Sequence, residues 1–338
     1  MELYAGLGRW PRIAFASVIT ATSAFALGAF AYQSPQAAVA VFACAAWLAL
    51  GLGCWRIARR RGAIGAGVYA LALLAFAVWW ARIEPRNDRN WSAEMVRTLS
   101  YVRDGDIITV TNVRNFAWAG PATAHERWET RRYDLAHLKA VDVATLHWKG
   151  PWIGHTYFSF VWNDGRALSL SVEIRKETGE TYSSVGGFFK AYELAILAGD
   201  ERDFYGWRVH FPGEDIQLYR TRATGVEAAI FLTALLDAAN MLDKTPAFYN
   251  TATDNCTTEV WLFTGALGAG RPFDWRLIAT GYLPEFFYDH GFLVPSAPFA
   301  TLEARSHILP RAKRALEAGA DGQIFSAAIR EGLLPASR

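Results

Sequence analysis

Thiol chemistry needs a nucleophile, a base beside it and a group to hold that base. Three residues in this chain have the types and settings for it. Cys256 lies in YNTATDNCTTEVW (249–261) and is the only cysteine after residue 54. Asn255 is a good helix N-cap, so Cys256 falls at the first helical position, with Thr257, Thr258 and Glu259 filling the first turn. Free backbone N–H groups and the positive end of a helix dipole favour a thiolate there. The same amides would hold the oxyanion of a tetrahedral intermediate, and Glu259 would oppose the effect slightly if it turned toward the sulfur. From spacing alone, a small buried hydrophobe is the plainer reading. His155 is the natural base candidate, since a thiol nucleophile needs an imidazole near the sulfur. Seven histidines are present, however, and strand histidines are more often structural or exposed.

The third residue comes from a hairpin. HTYFSFVW (155–162) and RALSLSVEIR (166–175) flank Asn-Asp-Gly, a strong turn signal. Ser169, Ser171, Glu173 and Arg175 alternate with Leu168, Leu170, Val172 and Ile174, giving one polar face and one core face. A three-residue loop, Asn163-Asp164-Gly165, pairs Trp162 with Arg166 and sets His155 opposite Glu173 on the same face. A two-residue Asp-Gly loop would send Glu173 to the other face. The three-residue loop is preferred because it places a carboxylate where it can orient the histidine.

Other chemistries find little support. There is no HExxH, no CxxC and no compact His/Asp cluster, so no metal is expected. No GxSxG elbow or phosphate-binding loop appears, and no cofactor is expected. A formal charge of +2, with basic residues spread rather than clustered in the C-terminal part, gives no nucleic-acid footprint.

The elements that must position these residues begin in a membrane. From Ile13 to Trp55 there is no charged residue, and the run breaks only at QSPQ (33–36). Three spans are read at 13–32, 37–55 and 62–81, each close to the ~20 residues a helix needs to cross a hydrocarbon core. A cleaved signal peptide at 13–32 is the lesser alternative, because two more spans follow and the apolar run is long for a signal core. RIARRRG (56–62) is strongly basic, which puts that loop in the cytoplasm, together with the N-terminus carrying Arg9 and Arg12. Three crossings then make residues 1–85 a membrane domain and place 92–338 outside, with RIEPRNDRNW (82–91) as connector. Cys256 would face an oxidising compartment without a partner, since Cys44 and Cys54 lie within the second span. A lone thiol there is inert by burial, intermolecular or reactive.

Within 92–338, alternation marks strands at 106–113, 141–148, 155–162 and 166–175. Helical periodicity marks 187–199, 225–242, the stretch after Cys256, 302–318 and 323–333. Strands early and helices later give an α+β domain on an antiparallel sheet.

Six segments then occur in one order: TNVRNFAW (111–118), WETRRYDLAHL (128–138), HTYFSFVWNDG (155–165), LSVEIRKETGETYS (170–183), ELAILAGDERD (193–203) and PAFYNTATDNCTTEV (246–260). Over about 106–260 they closely resemble the Lnb N-terminal periplasmic domain family, named for the bacterial lipoprotein transacylase. The resemblance implies a circularly permuted papain-like (NlpC/P60-like) fold on a multi-pass protein of the bacterial inner membrane, its C-terminal domain in the periplasm. It implies Cys256 as nucleophile and His155 as base, with Glu173 at a recurrent position and Asn255 helping to place the acyl carbonyl. Tyr249, Trp152, Tyr157 and Phe158 become candidates for an acyl groove, although strand-spaced aromatics equally read as core. Arg175, Asp203 and Arg208 fall in the same motifs as structural residues or substrate headgroup contacts. The implied function is a cysteine-dependent acyltransferase that moves a fatty acyl chain through a thioester, its partners the acyl chains of lipoproteins or phospholipids and the membrane itself. A cell-wall cysteine peptidase or amidase, and a non-catalytic membrane-anchored binding module, are the alternatives.

Overall fold

Apolar stretches without charge have only their own backbone to satisfy in lipid, and helix is the result. In the computed structural model they form α1 (Arg9–Gln33), α2 (Ala37–Ala58) and α3 (Gly62–Ala81). The structure describes residues 8–253, 255–270 and 274–333; the side chains of Lys149, Cys256, Thr257 and Thr258 lie outside that description. All three helices are long and apolar enough to cross a membrane. The first starts at Arg9, ahead of the apolar run, so both basic residues expected on the cytoplasmic side lie in its first turn. Small residues set the packing. A Cβ on Gly65 would meet the Ala58 nitrogen at 2.5 Å and the Cys54 oxygen at 2.6 Å, so only glycine permits that approach of α3 to α2.

The chain clusters into two compact units, Met1–Arg86 with Tyr182–Glu193, and Asn87–Thr181 with Leu194–Arg338. The inserted piece of the first unit corrects the helix expected at 187–199. Residues Gly186–Phe189 make one 3-10 turn, and Glu193–Gly199 is a strand. ELAILAG is a short, nearly continuous apolar run, which periodicity alone cannot separate from a buried helix; burial from both faces makes it a strand. Phe189 stacks on Tyr32 at 5.6 Å and presses on Gly28, where any Cβ would collide with its ring. Lys190 Nζ donates to the carbonyls of Trp80 (2.8 Å) and Ile83 (3.0 Å), capping the end of α3 with a cation.

The second unit is built on a sheet of β1 (Ser100–Asp104), β2 (Ile107–Arg114), β5 (Trp128–Asp134), β6 (Leu138–Lys149), β7 (Ile153–Trp162), β8 (Ala167–Arg175), β9 (Glu193–Gly199) and β10 (Asp215–Arg220). The order is β1-β2-β9-β8-β7-β6-β10, with β5 also on β2. β3 (Ala117–Gly120) and β4 (Thr123–His125) form a separate hairpin. β2 pairs antiparallel with β1 and β5, β6 with β7 and β10, and β7 with β8, whereas β2 and β9 meet in parallel at Arg114–Gly199. The hairpin has the three-residue loop: Trp162 N donates to Arg166 O, Gly165 N to Trp162 O, and Gly165 has φ +84°.

Helices cover both faces. On one side α5 (Gly225–Lys244), α6 (Cys256–Ala266) and α7 (Leu283–Asp289) bring Phe231, Phe263 and Phe287 onto Phe158 of β7. α5 is also long and apolar enough to span a membrane, but Phe231, Leu232, Leu235 and Leu236 are buried in this core and a Thr224/Glu227 capping box starts it. On the other side α4 (Glu201–Phe204), α9 (Leu309–Glu317) and α10 (Gly322–Ile329) pack Phe204, Ala312 and Phe325 with Leu146, Tyr157 and Leu218. The polar face of β8 is therefore not a solvent face. Ser169 is buried within 3.1 Å of the Tyr205 hydroxyl, and Tyr205 also bonds Ser159 at 2.7 Å.

The helix expected over 302–318 is two helices, α8 (Phe299–Ser306) and α9. Between them His307 bridges Gln217 and the Ile308 amide donates to Ile216 O, covering the open edge of β10. Arg330 of α10 reaches Asp142 (2.8 Å) and Glu201 (2.6 Å), while Arg220 also pairs with Asp142. These buried charges lock the last helix to the sheet.

Candidate functional site

The β7–β8 register sets the site. The two strands pair from Phe158–Leu170 to Val161–Ala167, and the same register carried toward the open end of the hairpin puts His155 opposite Glu173. Their side chains meet: His155 Nε2 lies 2.8 Å from Glu173 Oε1 and 2.7 Å from Ser171 Oγ, and Ser171 Oγ donates to Glu173 Oε1 at 2.9 Å. Burial resists the charge of Glu173. The imidazole of His155, then Arg208 and the Ser171 hydroxyl, outweigh that and hold its carboxyl down to about 2. A carboxylate so held can only accept, so Nε2 is the donor. With Nε2 donating, the ring's remaining nitrogen, Nδ1, is the one that could carry a lone pair, and it has no hydrogen-bond partner among the described residues. Tyr157 buttresses the ring edge-on at 4.7 Å.

Arg208 stands behind this pair. Its Nη2 donates to Tyr157 Oη at 3.1 Å, its Nη1 lies 3.6 Å from Glu214 Oε2, and its guanidinium covers the Trp207 ring at 4.5 Å. Burial works against the charge of Arg208; Tyr157, Glu214 and Glu173 outweigh it and raise its pKa. The phenol of Tyr157, pushed by burial up to about 12, stays neutral.

On the opposite face, α6 starts at Cys256 and packs against β8. The Cys256 side chain and all of Asp254 are outside the described residues. Asn255 is buried, with its Nδ2 donating to Thr251 O at 2.5 Å. Glu259, one turn into the helix, is fully buried. Burial, reinforced by the charge of Glu173, drives its carboxyl well above the ordinary range, the Val172 amide offsetting only part of this. The shift favours the uncharged acid, which weakens the opposition to a thiolate that Glu259 would offer if it turned toward the sulfur.

A short segment clamps the start of β7. Thr280 Oγ1 accepts from the Gly154 amide at 3.1 Å and donates to Gly154 O at 2.6 Å. A Cβ on Gly154 would meet Gly281 Cα and Thr280 O at 3.0 Å.

The other sequence candidates are spread around this centre. Tyr157 is buried beneath His155, and Phe158 sits in the core on the α6 face. Tyr249 is partly buried in the segment before α6, and Trp152 is exposed in the β6–β7 turn. Arg175 is buried and turned to the 87–96 segment, donating to Met95 O, Asn87 Oδ1 and Val96 O and lying over Trp91. Asp203 accepts from Arg114, the Phe116 amide and Trp118, joining α4 to β2 and the β3 strand. Ser171, the Thr280 clamp and the burial of Glu259 were missed from sequence. Ser171 alone had a signal, being one pleat from Glu173 on the same face.

The architecture is that of a mixed α+β sheet domain carried on apolar N-terminal helices. Residues 124–281 match the family model of the Lnb N-terminal periplasmic domain. The match includes His155, Glu173 and Cys256 and runs on through the Thr280 clamp. That match and the apolar N-terminal helices fit a membrane-anchored protein with a periplasmic domain. No curated protein and no solved structure matches the chain significantly.

Proposed function

We propose that the domain is a membrane-anchored, cysteine-dependent acyltransferase of the lipoprotein-transacylase type, with a circularly permuted papain-like order of histidine, carboxylate and cysteine. The observation that carries this reading is the His155–Glu173–Ser171 cluster, which holds Nε2 and leaves the Nδ1 lone pair uncommitted. In this reading Nδ1 takes the Cys256 proton, and Glu173 stabilises the imidazolium that results. That step requires the thiol at the start of α6, a helix packed on the other face of β8, to reach the His155 side of the sheet. The thiolate attacks the carbonyl of a lipid or lipoprotein ester. The new C–S bond forms, the ester C–O bond breaks, and the alcohol leaves with the proton from Nδ1. The acceptor amine then attacks the thioester, His155 removes its extra proton, and Cys256 departs as thiol after reprotonation. Backbone amides at the start of α6 would receive the oxyanion, and Asn255 would help to place the carbonyl.

In the same reading the basic loop 56–62 and the N-terminus lie in the cytoplasm. α1, α2 and α3 cross the inner membrane, and the sheet domain lies in the periplasm with lipid substrate arriving laterally. The test is acyl transfer by the full chain in lipid nanodiscs, using a fluorescent fatty-acyl ester donor and an amine acceptor. Transfer lost in both Cys256→Ala and His155→Ala supports the reading; transfer kept in either sinks it.

A further inference from the structure

Two exposed segments meet at the end of the sheet where His155 lies. In the β6–β7 turn Trp152 is 61% and Ile153 37% exposed; in the segment before α7 Trp275 is 53% and Ile278 81% exposed. Tyr282 joins them, its ring 5.4 Å from that of Trp152 and 5.2 Å from that of Trp275. Both segments are held firmly from below. Leu277 is buried in the core, and Arg276 pairs with Asp274 and Asp289. The Thr280 clamp ties the second segment to Gly154, between Ile153 and His155. Apolar side chains presented on a fixed framework mark an interaction surface, whereas scattered exposed leucines and valines do not.

We propose that Trp152, Ile153, Trp275, Ile278 and Tyr282 form a second membrane contact, which docks this end of the sheet into the headgroup layer of the bilayer. Two observations choose lipid over a protein partner. The chain carries apolar helices fit to cross a membrane, so a bilayer is the one surface always held near this domain, at high effective concentration. Tryptophan and tyrosine, with an apolar body and a polar edge, are the residues enriched at the lipid–water boundary. Ile278 and Ile153 would add apolar depth. Because Ile153 lies two residues from His155 on one strand, docking would bring the candidate base to the level where lipid esters lie. This rests on membrane anchoring and on no step of the acyl transfer.

The test uses the full chain in phosphatidylethanolamine/phosphatidylglycerol nanodiscs. A single nitroxide is attached at Ile278→Cys, or at Val102→Cys on β1 (69% exposed) as a control, with Cys44, Cys54 and Cys256 replaced by serine. The proposal expects the ratio of oxygen to nickel-chelate collision rates to be several-fold higher at 278 than at 102. Equal access of the chelate to both positions overturns it. So does shielding of position 278 from both quenchers, which would mean a protein partner or a second copy. With the native cysteines retained, quenching of tryptophan fluorescence by brominated lipids should fall in Trp152→Phe/Trp275→Phe; unchanged quenching overturns the proposal as well. Neither readout needs activity, so inactive protein can still pass and active protein can still fail.

Discussion

At the residue scale the site depends on which nitrogen of His155 is free. Glu173 fixes the answer by accepting from Nε2, and Ser171 reinforces it. Glu173→Gln removes the charge that would stabilise an imidazolium. Acyl transfer should drop by up to about 10⁴-fold, the loss seen when the carboxylate orienting a general-base histidine becomes an amide, with less change in acceptor binding; steady-state kinetics on the full chain checks this. The same carboxylate makes a pH prediction. Its folded-state pKa of about 2 lies below the unfolded value of about 4.3. Its contribution, on the order of 3 kcal/mol, is therefore fully present above that value and lost as pH falls toward 2. Urea melts at pH 6 and pH 3 should show a smaller acid loss for Glu173→Gln than for wild type. Glu259 has the opposite sign. Its raised folded-state pKa favours the acid form, so its share of stability is full below about 4.3 and fades as pH rises toward the folded value. Glu259→Gln should be at least as stable as wild type at pH 8, with the difference shrinking toward pH 4. Greater loss in the variant at pH 8 would contradict a neutral carboxyl. Strand alternation put Glu173 on the polar face of its strand, but its pairing with His155 was only one of two registers that Asn-Asp-Gly allowed, preferred because it set a carboxylate beside the histidine. The raised pKa of Glu259 was not legible at all, because it depends on what α6 packs against.

At the element scale, register and clamps carry the geometry. Asn-Asp-Gly suited a two-residue as well as a three-residue loop; the structure takes the latter, with Gly165 in the left-handed position of a bulged turn. The strand β9 was not readable, since a short apolar run has no periodicity that separates a central strand from a buried helix. The break between α8 and α9 follows from an edge-strand contact that no local pattern encodes. Thr280→Val removes both hydrogen bonds to Gly154 and should cost about 1–2 kcal/mol. Gly154→Ala should cost about 1–3 kcal/mol, because it forces the 280–281 backbone away from β7. Both should lower activity beyond their effect on the folded fraction, since they loosen the strand that carries His155. Chemical denaturation beside activity at low temperature separates the two effects. Activity that tracks the folded fraction would contradict a positioning role for the clamp.

At the scale of the whole molecule, the chain joins a bundle of apolar helices to a sheet domain covered on both faces. Hydropathy and loop charge showed the first part directly. Strand alternation gave an antiparallel sheet but showed only one core, because serines on the second face of β8 read as polar although they are buried under Tyr205. Positive-inside orientation predicts that a cysteine placed at Arg60 is protected from a membrane-impermeant maleimide in intact cells, and that one at Val102 is labelled once the outer membrane is permeabilised. Labelling at 60 but not at 102 would invert the topology and place Cys256 in the cytoplasm. The central claim is that Cys256 carries an acyl chain with His155 as its base. Its most direct test is mass spectrometry of the full chain purified from its membranes with acyl donor supplied, searching the Cys256 peptide for a hydroxylamine-labile fatty acyl adduct. The account predicts that adduct in wild type and its loss in Cys256→Ala and His155→Ala. Wild-type protein without it, and with a thiol no more reactive than in the unfolded chain, would contradict the account.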